Sequence, residues 1–248
     1  MRAHAIVIGI DKYHEKEWCL DGAVRDAVAF AEWALAHGGV APSDLTLLLS
    51  PLDDAPAIAN PVLAQAATPA TRAAIVDTFY AYQTGRGKDA DRLWFYYAGH
   101  GLAPPGSGPD AGPLVVPADV TNPDRYVTLE PVGLELFRGA MEDVAPKEQF
   151  YFVDACRDVI PVQGNKILTQ QLLWDLRGLD EEMLAMQAVF LATTAGKRAK
   201  EVRGHGLFGR ALVAALRGLG PDLLPPPPGK SRWLLEFGAV VDFVTEAV

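Results

Sequence analysis

Two apolar runs, each followed by a chemically reactive residue, constrain the fold of this chain more than any other feature. The run FYFV at residues 150–153 is followed by Asp154 and Cys156, and the run LWFYY at residues 93–97 is followed by His100. Short apolar runs that stop at polar residues are typical of buried strands. In open α/β sheets, sites are built at the carboxyl ends of the strands. A cysteine and a histidine that meet at such an edge can form a thiolate–imidazole pair.

Segments with strand character alternate with segments of helical periodicity along the rest of the chain. Further strands are predicted at residues 3–10, 45–49, 114–117 and 188–192, and helices at residues 21–35, 68–85, 128–142, 206–216 and 233–248. Residues 50–68 are interpreted as a loop, and Thr68-Pro69 as a helix start with a hydroxyl N-cap and proline at the first helical position. The alternation predicts an α/β fold with a mainly parallel sheet of about six strands between layers of helices.

Composition narrows the class of protein. The 248 residues suit one large domain, and we predict a single domain over residues 1–248 because only about twenty residues follow the proline run at 225–228. A formal net charge of -9 argues against nucleic acid as a partner. No apolar run approaches the ~20 residues that cross a bilayer, and no leader sequence is recognised, so a cytoplasmic location away from membranes is expected.

The two cysteines, Cys19 and Cys156, do not suggest a disulfide framework or a zinc site. A buried core cysteine is the ordinary role of a lone thiol, and His100 alone could be an ordinary loop histidine. Their joint occurrence at two strand ends is more informative than either residue. Gly101, beside His100, permits the close backbone approach that an oxyanion donor requires.

With these motifs in place, the chain resembles the caspase-like cysteine peptidases, the group of caspases, metacaspases and their prokaryotic homologues. The stretch Asp154-Ala155-Cys156-Arg157 is similar to the caspase signature. His100 lies 56 residues upstream of Cys156, and in the signature the histidine lies about 50 residues upstream of the cysteine. Residues 5–10 with 20–27 resemble the family's first strand and helix, and residues 190–196 with 206–212 its small-subunit region. The resemblance implies a caspase-like three-layer sandwich, large-subunit-like over about 1–160 and small-subunit-like over about 187–248.

The resemblance also implies roles for individual residues. Cys156 would be the nucleophile and His100 its acid–base partner, with the N–H groups of Gly101 and Cys156 as oxyanion donors. Asp154 stands where animal caspases have glutamine, and Asp158 where they have glycine. In the metacaspase branch, carboxylates at the positions of Asp154 and Asp26 line a pocket that selects arginine, and then lysine, before the cut (the P1 residue). Cleavage of proteins or peptides after basic residues is therefore the expected activity.

Several alternatives stay open at this point. The domain could be a non-catalytic interaction scaffold, a caspase-type peptidase with another P1 preference, or a cysteine hydrolase of non-peptide amides. Asp26 could simply be a first-turn carboxylate favoured by its own helix dipole. No metal or other cofactor is expected. Some metacaspases are activated by calcium, however, so calcium binding at the acidic patch of residues 180–182 is an alternative to a merely solvated surface. Prokaryotic members are often coupled to sensor modules, so a regulatory protein is a second expected partner.

Overall fold

The structure is a computed structural model that describes residues 1–103, 113–120, 128–129, 131–142, 144, 146–156, 158–159, 166–167, 185–192, 206–220 and 236–248. The acidic patch at residues 180–182 and the proline run at residues 225–228 lie outside these residues.

The described residues form twelve strands and six helices. The strands are β1 (Ala3–Ile10), β2 (Val40–Ser50), β3 (Ala67–Pro69), β4 (Arg92–Gly99), β5 (Gly101–Ala103), β6 (Leu114–Val115), β7 (Thr128–Leu129), β8 (Val132–Gly133), β9 (Glu148–Ala155), β10 (Asp158–Val159), β11 (Lys166–Ile167) and β12 (Met186–Leu191). The helices are α1 (Ala23–Ala36), α2 (Pro61–Ala66), α3 (Arg72–Gln83), α4 (Leu134–Ala140), α5 (Leu207–Leu216) and α6 (Phe237–Ala247), with a 3-10 turn at Lys16–Trp18.

The central sheet has six strands in the order β12-β9-β4-β1-β2-β3. Every neighbouring pair in it is parallel, so all six carboxyl ends lie at one edge. The strands β4 and β9 are neighbours, and their pairing runs up to Gly99 opposite Ala155. The sheet confirms the predicted α/β class and its strand number. It also places the two reactive residues, one position beyond this last pair, side by side.

Two apolar layers cover the sheet, and alternate residues of one strand serve different layers. In β4, Trp94 and Tyr96 join the core that includes α1, α5 and α6, whereas Phe95 and Tyr97 join the core formed with α3 and α4. This follows from the two-residue period of a strand, which sends successive side chains to opposite faces. The predicted sandwich of helices, sheet and helices is therefore confirmed.

The prediction for residues 50–69 is wrong. The segment holds α2 and β3 rather than a loop, and Thr68-Pro69 belongs to β3, the edge strand, where a proline is tolerated because one side of the strand has no partner. The residue that caps the N-terminus of α3 is Thr71, whose side chain accepts a hydrogen bond from the Ala74 N–H. The proline at the first helical position is Pro61, in α2.

Two further expectations need correction. The helix expected over residues 128–142 is shorter, because β7 and β8 occupy its first part and only α4 is helical. The strand at residues 188–192 is present as β12 but is half-buried to exposed, since it forms the edge of the sheet. Within the described residues, no helix is both long and apolar enough to cross a membrane.

Candidate active site

His100 and Cys156 occupy equivalent places at the ends of two neighbouring strands. Each follows the last paired residue of its strand, and both side chains are half-buried. Parallel pairing thus brings the imidazole and the thiol to the same edge of the sheet. This placement is what the sequence predicted for the two residues.

The imidazole of His100 is held by a main-chain carbonyl. Its Nε2 lies 2.7 Å from the carbonyl oxygen of Trp18, which can only accept a hydrogen bond. Nε2 therefore carries the proton in the neutral ring, and Nδ1 keeps its lone pair. The ring also lies 4.8 Å from that of Tyr13. A main-chain carbonyl thus orients the histidine through Nε2, and Nδ1 is the nitrogen that can accept a proton.

The main chain of His100 is fixed by two tyrosine hydroxyls. Its N–H donates to Tyr13 Oη at 2.7 Å, and its carbonyl accepts from Tyr97 Oη at 2.5 Å. The two hydroxyls are also bonded to each other. Burial raises the pKa of Tyr13 and of Tyr97 well above the usual range, so both remain neutral hydroxyls at any working pH. The histidine is therefore positioned by uncharged groups on three sides.

Gly101 lies against the Cys156 main chain. A Cβ added at Gly101 would lie 2.5 Å from the Cys156 carbonyl oxygen and 2.9 Å from the Ala155 Cβ. Only glycine permits this approach of β5 to the end of β9. The N–H groups of Gly101 and Cys156, the two predicted oxyanion donors, consequently belong to main-chain segments in direct contact.

The second half of the site is the acid pair, Asp26 of α1 and Asp154 of β9. Asp26 is 3% exposed and Asp154 is 8% exposed. Asp26 Oδ2 accepts the Gly206 N–H at 2.7 Å, and Asp154 Oδ2 accepts the Gly209 N–H at 3.0 Å. The structure brings the two carboxylates together at the N-terminus of α5, where the helix dipole favours negative charge. Asp26 lies in the first turn of α1, as its sequence position suggests, but its hydrogen bond goes to a different helix.

Asp11, at the end of β1, sets the position of α1. Its carboxylate accepts the N–H groups of Gly22, Ala23 and Val24 at 3.1, 2.8 and 3.2 Å. Burial raises the pKa of Asp11, and the three N–H donors act against that rise. Because these donors form the first turn of α1, the cap fixes the helix start one turn from Asp26.

The acid pair requires glycine at Gly206. A Cβ there would lie 2.4 Å from Asp154 Oδ2 and 3.2 Å from Asp26 Oδ2. Close to the pair, beside Gly209, lies the hydroxyl of Tyr96, which has no hydrogen-bond partner among the described residues. The site thus combines two charged acceptors, a helix N-terminus and one unsatisfied hydroxyl.

Some of these groups could not be read from the sequence. The Trp18 carbonyl leaves no signal, because every residue has one. Tyr13, Tyr96 and Asp11 are visible only through the sheet register that brings them to the site. Within the part of the chain that the structure describes, no group of three or more His, Cys, Asp or Glu side chains could hold a metal ion.

A parallel sheet with a histidine and a cysteine at adjacent strand ends is the arrangement that the resemblance to caspase-like peptidases implies. The caspase domain model matches residues 2–225, most of the chain. The chain therefore belongs to the caspase-domain family of cysteine peptidases. This confirms the family inferred from the two motifs.

Two further comparisons agree with this assignment. A protein of a Desulfuromonadales bacterium named "Probable protease" is 34% identical over 228 residues, which are 89% of this chain and 26% of that protein. The chain thus spans about a quarter of that relative. A crystal structure of a Geobacter sulfurreducens protein shares the fold, with a TM-score of 0.52, 15% identity and coverage of 94% of this chain and 93% of the other.

Proposed function

We propose that the protein hydrolyses peptide bonds after arginine, and less efficiently after lysine, through a Cys156 thioester. The observation that carries the proposal is the convergence of a reactive pair and a carboxylate pair at one sheet edge. Asp154 lies in β9 and Cys156 directly follows the end of that strand, two residues further on, so the acid pair is adjacent to the thiol.

In the proposed reaction, His100 Nδ1 takes the thiol proton, and Cys156 Sγ attacks the scissile carbonyl carbon. The N–H groups of Gly101 and Cys156 stabilise the oxyanion. His100 then gives the proton to the leaving amine, which breaks the peptide bond and leaves a thioester. Water activated by His100 hydrolyses the thioester and restores the thiol. The hydrogen bond from Nε2 to the Trp18 carbonyl supports the required tautomer.

The acid pair supports the preference for a basic side chain. A guanidinium forms planar, bidentate contacts with carboxylates, whereas an aspartate there would meet two like charges. Each charge-assisted contact is worth roughly 1.5–3 kcal/mol. Loss of one carboxylate should therefore lower kcat/KM for basic substrates by about ten- to a hundred-fold.

The acid pair also caps α5, and a purely structural cap is the alternative role. The two roles differ in what they change. Loss of a cap lowers the melting temperature and affects all substrates alike, whereas loss of a specificity pocket alters the ratio between arginine and other P1 residues. Both quantities are therefore measured on the same variants.

The test measures melting temperatures and the rates on fluorogenic peptides with Arg, Lys, Asp or Ala at P1, with and without calcium, for wild type, Asp26→Ala and Asp21→Ala. Asp21 is a matched control, since it lies at the start of α1 with an exposed side chain. We expect wild type and Asp21→Ala to prefer arginine and Asp26→Ala to lose that preference. A preference for aspartate, or an unchanged arginine preference in Asp26→Ala, contradicts the assignment. Absence of all turnover favours the scaffold alternative.

A further inference from the structure

Tyr96 has a buried hydroxyl without a hydrogen bond. The residue is 0% exposed, and its Oη contacts no donor or acceptor within hydrogen-bonding distance. Buried polar groups in proteins are nearly always bonded, and an exception calls for an explanation. Other buried tyrosines of the sheet follow the rule, since Tyr97 Oη bonds the His100 carbonyl and Tyr151 Oη bonds Gln149 Oε1 at 2.7 Å.

The hydroxyl is directed at the acid pair. A Cβ placed at Gly209 would lie 2.5 Å from Tyr96 Oη, 3.1 Å from Asp26 Cβ and 3.2 Å from Asp154 Oδ2. These three groups therefore surround one point under the first turn of α5. The ring of Tyr96 is stacked on Phe30, with centroids 4.7 Å apart, which holds the hydroxyl in this direction.

The hydroxyl remains neutral in these surroundings. Burial, and then the charges of Asp154 and Asp26, raise the pKa of Tyr96 well above its usual range. A neutral hydroxyl has one proton to donate and two lone pairs that accept. A small movement of one of the two nearby carboxylates toward Oη would let the hydroxyl donate to it while it accepts a hydrogen bond from a cation.

We infer that Tyr96 is a specificity-determining residue of the acid pair's pocket, where its hydroxyl accepts an N–H of an arginine side chain and donates to a carboxylate. The inference rests on the proposed preference for basic residues. Arginine offers five N–H donors in a fixed planar fork, whereas the lysine ammonium has three, so arginine makes more use of a further acceptor beside the carboxylates. The hydroxyl thus favours arginine over lysine.

The test measures kcat/KM for two peptides that differ only in Arg or Lys at P1, on wild type, Tyr96→Phe and Tyr151→Phe. Tyr151→Phe is the matched control, because it removes a buried hydroxyl from the neighbouring strand on the other face of the sheet. Melting temperatures are recorded for all three proteins.

For Tyr96→Phe we expect about a ten-fold loss with the arginine peptide, less than about two-fold with the lysine peptide, and no loss of melting temperature, because an unpaired group is removed. Tyr151→Phe should keep the Arg/Lys ratio and melt at a lower temperature. An unchanged Arg/Lys ratio in Tyr96→Phe, or a melting temperature that falls as in Tyr151→Phe, overturns only the role of Tyr96 and leaves the proposed function standing. A wild-type enzyme without preference for basic residues overturns the proposed function together with it.

Discussion

The two halves of the site differ in the groups that surround their functional side chains. Around His100, neutral partners bond the imidazole Nε2, the N–H and the carbonyl. Around Asp26 and Asp154, buried charges meet the N-terminus of a helix and an unbonded Tyr96 hydroxyl. The first half thus relies on hydrogen bonds between neutral groups, whereas the second half includes a buried hydroxyl without a hydrogen bond among the described residues.

The difference matches what each half is proposed to do. A proton-transfer group acts best when its orientation is fixed before the substrate arrives. A pocket for a cation gains affinity from acceptors that can bond to the cation when it arrives, and the Tyr96 hydroxyl is such an acceptor. The comparison therefore predicts that changes in the first half affect all substrates equally, whereas changes in the second half discriminate between them.

The largest effect is expected at the reactive pair. Cys156→Ala should abolish turnover, and His100→Ala should reduce kcat by at least ~10²-fold, because general acid–base catalysis is lost. Steady-state assays with the arginine peptide measure both. Cys19→Ser, at the other thiol of the chain, serves as the control and should retain activity. Wild-type turnover in Cys156→Ala would show that another nucleophile acts.

The next effect is expected at the acid pair, from Gly206→Ala. The added Cβ would lie 2.4 Å from Asp154 Oδ2, so the carboxylate must move. We expect at least a ten-fold loss of kcat/KM on the arginine peptide and a smaller loss on an alanine peptide. Gly139→Ala in α4 is the matched control, since nothing lies within 4 Å of its added Cβ. Equal losses on both peptides would contradict a pocket at Gly206.

A moderate effect is expected in the first half, from Tyr13→Phe. The His100 N–H loses its 2.7 Å acceptor, and an unsatisfied buried donor costs about 1–3 kcal/mol. The melting temperature should fall, and kcat should fall by a similar factor for arginine and lysine peptides. A loss of kcat confined to one of the two peptides would contradict the distinction between the two halves of the site.

The smallest effect is expected far from both halves, at His4 near the start of β1. Burial lowers the pKa of His4 from its usual 6.5, so the unfolded chain binds a proton that the folded chain accepts less readily. The unfolding free energy should therefore fall as the pH drops from about 7.5 through 6.5. Urea unfolding of His4→Gln should show a flatter dependence on pH. A steeper one would contradict the direction of the shift.

The fold and the positions of His100 and Cys156 could be predicted from the sequence because they depend on local pattern. Apolar runs identify β4 and β9, and their endings locate His100 and Cys156. The elements that were misjudged, α2 with β3 and the short strands before α4, carry weak periodicity, and tertiary pairing decides their state. The partners of His100 and the position of Tyr96 depend on long-range register, which a single sequence does not encode locally.

The central claim is tested most directly by covalent labelling of the thiols. The chain has two cysteines, so peptide mapping after reaction with an electrophilic peptide gives an unambiguous site. With arginine at P1 we expect rapid modification of Cys156, none of Cys19, and slow modification when aspartate replaces arginine. Labelling of Cys19 instead, or equal rates with arginine and aspartate, would contradict a Cys156 peptidase that recognises basic residues through Asp26 and Asp154.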